Sequence, residues 1–302
     1  MNRASWLGRE GAAAGLAFLI LAALSALPQF SLLVVWLLPM PLIVFTVLRM
    51  RFVPPILAAV AGACLLAVGF GWSALLFALG IYFLGWVMGE SIMNSDSPYA
   101  PLITGTLVLL MLELVLLALI RWSGTDIFAA LTNQITLSLQ QDQKLLGLSQ
   151  LSTPDMIKTA VEWVRMMMPG LLTIFAFLLA TLNLLLARLI LGQKAGPRKP
   201  LLSTWRLPNS VVTVYVLALT FGLFGGLKSQ PVFWQMINNV MFLAGFLIGI
   251  QGIAFIWRRI KGRRGGYVWL VLLLLAASIQ LVGDIYILIG LFDSVRKPTK
   301  QA

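Results

Sequence analysis

The chain has 302 residues, of which 60% are hydrophobic and 11% are charged, and its formal net charge is +12. The mean hydropathy is +0.95. A water-soluble protein does not need so large an apolar fraction to form its core, so lipid must surround much of the chain. The apolar runs are continuous, whereas the strands of a membrane barrel alternate apolar and polar residues. The sequence therefore predicts an all-α, polytopic integral membrane protein.

Composition also excludes several functions. The sequence has no histidine and a single cysteine, which excludes His-ligated metal sites, Ser-His and Cys-His nucleophiles and a disulfide framework. The run GLFGGLKS resembles a P-loop, but Leu227 stands where the Walker A motif needs glycine. The basic residues lie in short loops between apolar runs, as the positive-inside rule requires, so nucleic acid is not an expected partner. We expect no enzyme, no metal site and no cofactor.

Nine apolar runs approach the roughly 20 residues that a membrane-spanning helix needs. They lie at 10–28, 30–48, 54–70, 72–93, 99–121, 167–191, 209–227, 232–257 and 267–292. The third run is short, and Gly69 and Gly71 leave little room for a turn before the fourth. A tight or re-entrant hairpin is the alternative there, so the sequence predicts eight or nine transmembrane helices.

The orientation follows from the lysines and arginines. The basic loops lie at 49–51, 192–210 and 258–266, and an even number of predicted spans separates each loop from the next. All three can therefore face the cytoplasm of a bacterial cell, with the N-terminus on the same side. The C-terminal tail, with Arg296, Lys297 and Lys300, is then predicted outside, against the positive-inside rule.

Residues 122–166 are polar and amphipathic, and this topology places them outside the cytoplasm. The apolar residues Phe128, Leu131, Ile135 and Leu139 follow helical spacing. A second helix start is predicted at Thr153-Pro154-Asp155. The segment is either a helical hairpin at the lipid headgroups or a lid over a site that opens outward.

Two carboxylates inside predicted spans indicate a binding site. Glu113 and Asp284 lie in the outer thirds of the fifth and ninth spans, and ionisable residues within a membrane usually mark functional sites. Thr106 shares a helix face with Glu113, and Gln280 shares one with Asp284. The predicted outward-facing substrate pocket comprises Glu113, Asp284, Asn238, Asn239, Gln280 and Thr106. The alternative is that these groups only hold helices together, with Arg165 as a partner for Glu113.

Other polar and small residues have structural or docking interpretations. Asn183 and Gln251 lie deeper toward the cytoplasm and are predicted to bind neighbouring helices. The first span carries two small-xxx-small patterns, Gly11 with Gly15 and Ala13 with Ala17. Such spacing lets another helix approach closely, from the same chain or from a partner subunit.

Three stretches carry a resemblance to a known family: LPMPLIVFTVLR (38–49), TWRLPNSVVTVYVLAL (204–219) and NVMFLAGFLIGIQGIAFI (239–256). With them the chain resembles the YybS-like family of bacterial membrane proteins. That family is distantly similar to the substrate-binding S components of energy-coupling-factor (ECF) transporters, which have six helices and lack an ATPase. The resemblance implies a six-helix core at 1–191. The three further spans of 192–302 depart from the six-helix pattern of S components.

The S-component resemblance also implies partners. The first helix of an S component carries an AxxxA-type motif that contacts the coupling subunit, and Ala13 and Ala17 match that motif. The resulting hypothesis is a substrate-binding or transport subunit of the cell membrane, working with ECF-type coupling and ATPase subunits on an undetermined ligand. The alternative is a non-catalytic scaffold of a cell-envelope or morphogenesis complex that uses 122–166 as its interaction surface.

Overall fold

The computed structural model describes residues 8–25, 27, 30, 34–67, 69, 71–146, 154–195, 201–223, 230–262 and 266–295. Within these ranges the chain forms helices and turns and no strand, which confirms the all-α prediction. The longer helices are α1 (Arg9–Ser25), α2 (Pro39–Val47), α3 (Val53–Ala67), α4 (Ser73–Asn94), α5 (Ala100–Trp122), α6 (Ile127–Leu146), α7 (Pro154–Leu191), α8 (Asn209–Leu223), α9 (Pro231–Ile260), α10 (Gly266–Ala276) and α11 (Gln280–Val295). Single helical turns occupy Val35–Leu37, Gly192–Ala195 and Leu201–Thr204.

Among the described residues, four helices are each long and apolar enough to cross a membrane: α4, α5, α7 and α9. A fifth candidate is the pair α10 and α11, which is bent by 109° at its break. The remaining predicted spans form shorter helices, 17 residues in α1, 9 residues in α2 and 15 residues in each of α3 and α8. The membrane class is confirmed with four to five candidate spans, and the count of nine is not.

The ninth predicted span is two helices rather than one. The backbone N–H groups of Ser278 and Ile279 donate to the carbonyls of Leu275 and Ala276, three residues earlier, so the helix tightens and ends. The Ser278 hydroxyl donates to the same Leu275 carbonyl at 2.7 Å. A continuous apolar run conceals this break, because hydropathy reports burial in lipid and not the direction of the backbone.

By its contacts the chain divides into two compact units. One comprises Met1–Leu119 with Phe175–Arg198, and the other comprises Ile120–Ile174 with Lys199–Ala302. These boundaries fall inside α5 and α7, whereas the division predicted from the sequence falls at the basic loop after 191. That predicted division into a six-helix core and three further spans stays a prediction.

The core of the first unit is built by α1 to α4. Its most buried apolar side chains are Phe18, Leu38, Leu42, Leu65, Ile81 and Leu84. The ring of Trp36 lies edge-on to Phe77, with centroids 5.4 Å apart. A tight turn joins α3 to α4, and both Gly69 and Gly71 have positive φ values, 98° and 60°. Glycine adopts this backbone without steric cost, so these two residues permit the close hairpin that the sequence offered as an alternative.

In the second unit, α6 begins at an aspartate cap. The Asp126 carboxylate accepts hydrogen bonds from the N–H groups of Ala129 and Phe128, and these bonds hold its pKa below the ordinary value. The Arg165 guanidinium of α7 lies 5.1 Å from the centre of the Phe128 ring. The second predicted helix begins at Pro154, as the sequence indicated. Its cap residue Thr153 and the side chains of Leu131 and Leu139 lie outside the described residues.

Candidate functional site

Glu113 lies on the buried face of α5. That face also carries Leu102, Gly105, Leu109 and Leu112, at the three- and four-residue spacing of one helical stripe. Glu113 is only 5% exposed, and it stands about 20 Å along the helix from Ala100 at 1.5 Å per residue. The sequence prediction that this carboxylate faces protein rather than lipid agrees with its burial.

Neither carboxylate oxygen of Glu113 has a hydrogen-bond partner in the part of the chain that the structure describes. In the same part, ion pairs join Lys194 to Glu10 and Arg258 to Asp293. The Arg165 side chain, a candidate partner from the sequence, stacks on Phe128 instead. A buried charge without a partner is costly, and a bound proton or a cation at the Glu113 oxygens would remove that cost.

Thr106 stands two helical turns before Glu113. Its hydroxyl donates to the carbonyl of Leu102, four residues earlier, at 2.7 Å. The hydroxyl proton is thereby used within α5, and only the oxygen lone pairs remain to accept a bond from another group. Thr106 can therefore assist a donor ligand at this face but cannot donate to one in this rotamer.

Asn239 repairs a break in α7 and does not form an open binding site. Pro169 lies inside α7 and disturbs its hydrogen-bond ladder. The Asn239 side chain accepts from the Gly170 N–H at 2.7 Å and donates to the Met166 carbonyl at 2.9 Å, two groups that an unbroken helix would pair with each other. Its second amide hydrogen goes to the Gln235 carbonyl at 2.9 Å, so the amide has no donor left for a ligand.

The other predicted pocket residues of the second unit are Asn238, Gln280 and Asp284, and none of them takes part in the hydrogen bonds of Asn239 described above. Asn238 donates to the carbonyl of Trp234 at 2.8 Å, within its own helix. Gln280 and Asp284 are both exposed on α11. Among the described residues no hydrogen bond joins Asn238, Gln280 and Asp284 to one another, so a single pocket built from all of them stays a prediction.

The small residues of α1 divide between two faces. Gly11 is buried together with Ala14 and Phe18, on the side of α1 that packs against the rest of the first unit. Ala13 is exposed and Ala17 is half-buried on the other side. Gly15 lies on the Gly11 side, where an added Cβ would meet no atom within 4 Å. The described helices therefore leave the Ala13 and Ala17 face partly open for close approach, and Ala13 also lines a pocket with Leu189 and Lys194 of the same unit.

A family model described as Predicted membrane protein (DUF2232) matches residues 15–294. The chain belongs to the DUF2232 family. No curated protein and no solved structure matches it. The family description agrees with the hydropathy and the helices of this DUF2232 member. It carries no YybS-like name, no similarity to S components and no transported ligand, so those parts of the sequence analysis remain hypotheses.

A polar network of this DUF2232 member joins the ends of α9 and α11. Arg258 forms an ion pair with Asp293, with 2.6 Å between Nη2 and Oδ2, and also donates to the Trp205 carbonyl at 3.2 Å. Gln251 accepts from the Leu207 N–H at 3.0 Å and donates to the Ser294 hydroxyl at 2.9 Å. Sequence reasoning assigned helix binding to Gln251 but missed the ion pair.

This network bears on the predicted position of the C-terminus. Arg258 is near the end of α9 and Asp293 is near the end of α11, so the two helices end side by side. A continuous ninth span would have placed their ends on opposite faces of the membrane. A re-entrant α10–α11 pair, one of the two topologies compatible with its 109° bend, would instead enter and leave on one side. Residue 295 would then lie on the side of the basic loop 258–266, and the basic tail would no longer oppose the positive-inside rule.

Cysteine labelling tests this topology in the DUF2232 chain. In a Cys64→Ser background, we expect a membrane-impermeant maleimide to label Lys261→Cys and Val295→Cys from the same face, because both positions are exposed at adjacent helix ends. The control is Thr125→Cys in the segment predicted outside, which should label from the opposite face. If Val295→Cys is labelled from the same face as Thr125→Cys, the ninth span crosses the membrane continuously, as the sequence predicted.

Proposed function

We propose that the chain is a membrane-embedded subunit that binds or transports a small ligand without an ATPase of its own, and that Glu113 is its working group. The observation that carries the proposal is the buried Glu113 carboxylate, neither of whose oxygens has a partner in the described chain. Such a group recognises a cation, a cationic group of an organic ligand, or a proton that accompanies transport. The mechanism is binding and release rather than covalent chemistry.

The proposed site centres on α5. Thr106 lies on the same face as Glu113 and supplies an acceptor oxygen. Asn239 is left out of the proposed site, because α7 and Gln235 use both of its donors. Asp284 and Gln280 belong to the second unit, where both are exposed on α11, and their part in ligand binding stays a prediction from the sequence.

The open face of α1 supports a partner subunit. In this proposal Ala13 and Ala17 receive a helix of an ECF-type coupling protein, as the resemblance to S components implies, and the coupling protein brings the ATPase. The proposed setting is the cytoplasmic membrane of a bacterium, with the N-terminus and the basic loops inside. Eight crossings followed by the re-entrant α10–α11 pair would place both termini in the cytoplasm.

Mild-detergent purification followed by mass spectrometry tests the proposal. The three samples are the wild-type chain, Glu113→Gln and the matched control Glu162→Gln, whose carboxylate is exposed on α7. We expect a small cationic molecule or ion to be retained by the wild type and the control and lost from Glu113→Gln, because the neutral amide cannot balance a positive charge. Equal retention by all three, at equal expression, would remove Glu113 from the site.

The scaffold alternative rests on the segment that contains α6 and the first turns of α7. Large apolar side chains are exposed there, among them Leu137 at 60%, Met156 at 63% and Trp163 at 49%. If this surface binds envelope proteins, Leu137→Gln should abolish their co-purification while Glu113→Gln leaves it unchanged. Recovery of coupling and ATPase subunits, lost on Ala13→Leu or Ala17→Leu, would favour the transport proposal instead.

A further inference from the structure

A polar pocket lies in the first unit where α2 ends, α3 begins and α4 passes. Its volume is about 340 Å³, and it is lined by Thr46, Arg49, Arg51, Tyr82, Trp86 and Glu90. We propose that it binds the zwitterionic headgroup of a phospholipid, with the phosphate at the two arginines and the ammonium group at Glu90. This site shares no residue with the proposed Glu113 site and does not depend on it.

Two unpaired guanidinium groups form the phosphate end. Arg49 and Arg51 are exposed and separated by one residue, and within the described chain neither lies within 4.0 Å of a carboxylate oxygen. Arginine binds phosphate oxygens through two parallel N–H bonds. The loop that carries both arginines connects two apolar helices, and the sequence predicts such basic loops at the level of the lipid headgroups. Basic pockets between membrane helices at this level bind lipid phosphates.

The backbone at Arg49 strengthens this assignment. Arg49 has a φ of 60°, in the left-handed region that favours glycine. The Arg49 N–H donates to Thr46 and the Met50 N–H donates to Phe45, which is the hydrogen-bond pattern of a helix end where glycine is the usual residue. An arginine that lines the pocket is thus held at a position where glycine would fold more easily.

The ammonium end is formed by one face of α4. Tyr82, Trp86 and Glu90 follow at four-residue intervals and all line the pocket. Asn94 donates to the Glu90 carboxylate at 2.7 Å and fixes one of its oxygens. A carboxylate beside aromatic faces is the usual recognition of an ammonium group. The pocket lining therefore combines two positive charges from the loop after α2 with a negative charge and aromatic rings from α4, a combination complementary to a phosphate ester of an amino alcohol.

Native mass spectrometry of the full chain with added lipid tests the proposal. The probes are phosphatidylethanolamine, phosphatidylglycerol and soluble phosphoethanolamine. The variants are Arg49→Gly, Arg51→Gln, Glu90→Gln and the control Arg121→Gln, which alters an exposed arginine at the end of α5. We expect phosphatidylethanolamine binding to fall at least tenfold in Arg49→Gly and Arg51→Gln and to be unchanged in Arg121→Gln. Arg49→Gly should melt at or above the wild-type temperature, so its loss of binding is not unfolding.

The other comparisons identify the headgroup and distinguish a membrane lipid from a soluble molecule as its source. Glu90→Gln should remove the preference for phosphatidylethanolamine over phosphatidylglycerol, because only the former carries an ammonium group. Competition by soluble phosphoethanolamine would indicate a free phosphoamine as the occupant, and its failure to compete would indicate the membrane lipid. Wild-type binding by both arginine variants would overturn the proposal. An unchanged preference in Glu90→Gln would overturn the assignment of the ammonium end.

Discussion

Replacing Gly252 by alanine is expected to destabilise the second unit by about 1–3 kcal/mol, the usual cost of overpacking. A Cβ at Gly252 would overlap the backbone carbonyl oxygen of Tyr286, and a Cβ at Gly290 would overlap that of Ile248. Backbone cannot move aside as a flexible side chain does, so α9 and α11 would have to separate. Gly290→Ala should show the same loss, since it acts at the same crossing.

The matched control is Gly249→Ala, on the same helix. Its Cβ would meet the Ile287 side chain at 3.8 Å, an ordinary contact. The measurement is thermal unfolding of the purified chain in one detergent. We expect lower melting temperatures for Gly252→Ala and Gly290→Ala, and a temperature at or above wild type for Gly249→Ala, because alanine favours the helix over glycine. Three equal melting temperatures would contradict the close crossing of α9 and α11.

Replacing Arg258 by methionine is expected to cost roughly 1–3 kcal/mol, below the 3–5 kcal/mol of a fully buried pair because these side chains are partly exposed. The side chains of Arg258 and Asp293 are 22% and 11% exposed, and the variant leaves the Asp293 carboxylate without its guanidinium partner. Gln251 remains as a donor to that carboxylate at 3.3 Å. It cannot replace the lost positive charge.

Two further variants distinguish the loss of the ion pair from a nonspecific loss of stability. Arg259→Met removes the neighbouring arginine, which is exposed and stacks on Phe255 at 4.0 Å, and should cost much less than Arg258→Met. The double variant Arg258→Met/Asp293→Leu should regain most of the lost stability, because no unpaired charge remains. If both single arginine variants unfold alike, the network does not hold the ends of α9 and α11 together.

The features that sequence could predict are those that repeat along one helix. The apolar runs located candidate membrane helices, and helical spacing placed Thr106 on the same face as Glu113. Helical spacing also paired Gly11 with Gly15 and Ala13 with Ala17, although it did not show which pair lies on the buried side. In each case, a local periodicity of three to four residues carries the information.

The features that sequence missed depend on distant residues. The role of Asn239 follows from the gap that Pro169 opens in α7, 70 positions earlier, and nothing in the spacing shows which amide fills that gap. Arg258 and Asp293 are 35 residues apart and were assigned to opposite sides, because the break after Ala276 lies inside a continuous apolar run. Arg49 and Arg51 fitted the positive-inside rule, which hid the pocket they share with Glu90.

The most direct test of the central claim is the infrared difference spectrum between the wild-type chain and Glu113→Gln in lipid. If Glu113 binds a proton, the band that disappears in the variant belongs to a protonated carboxyl group. If Glu113 binds a cation, that band belongs to a carboxylate and shifts when bound cations are washed out. A carboxylate band that responds neither to pH nor to removal of cations would contradict the account, and would make Glu113 a structural residue with a fixed partner.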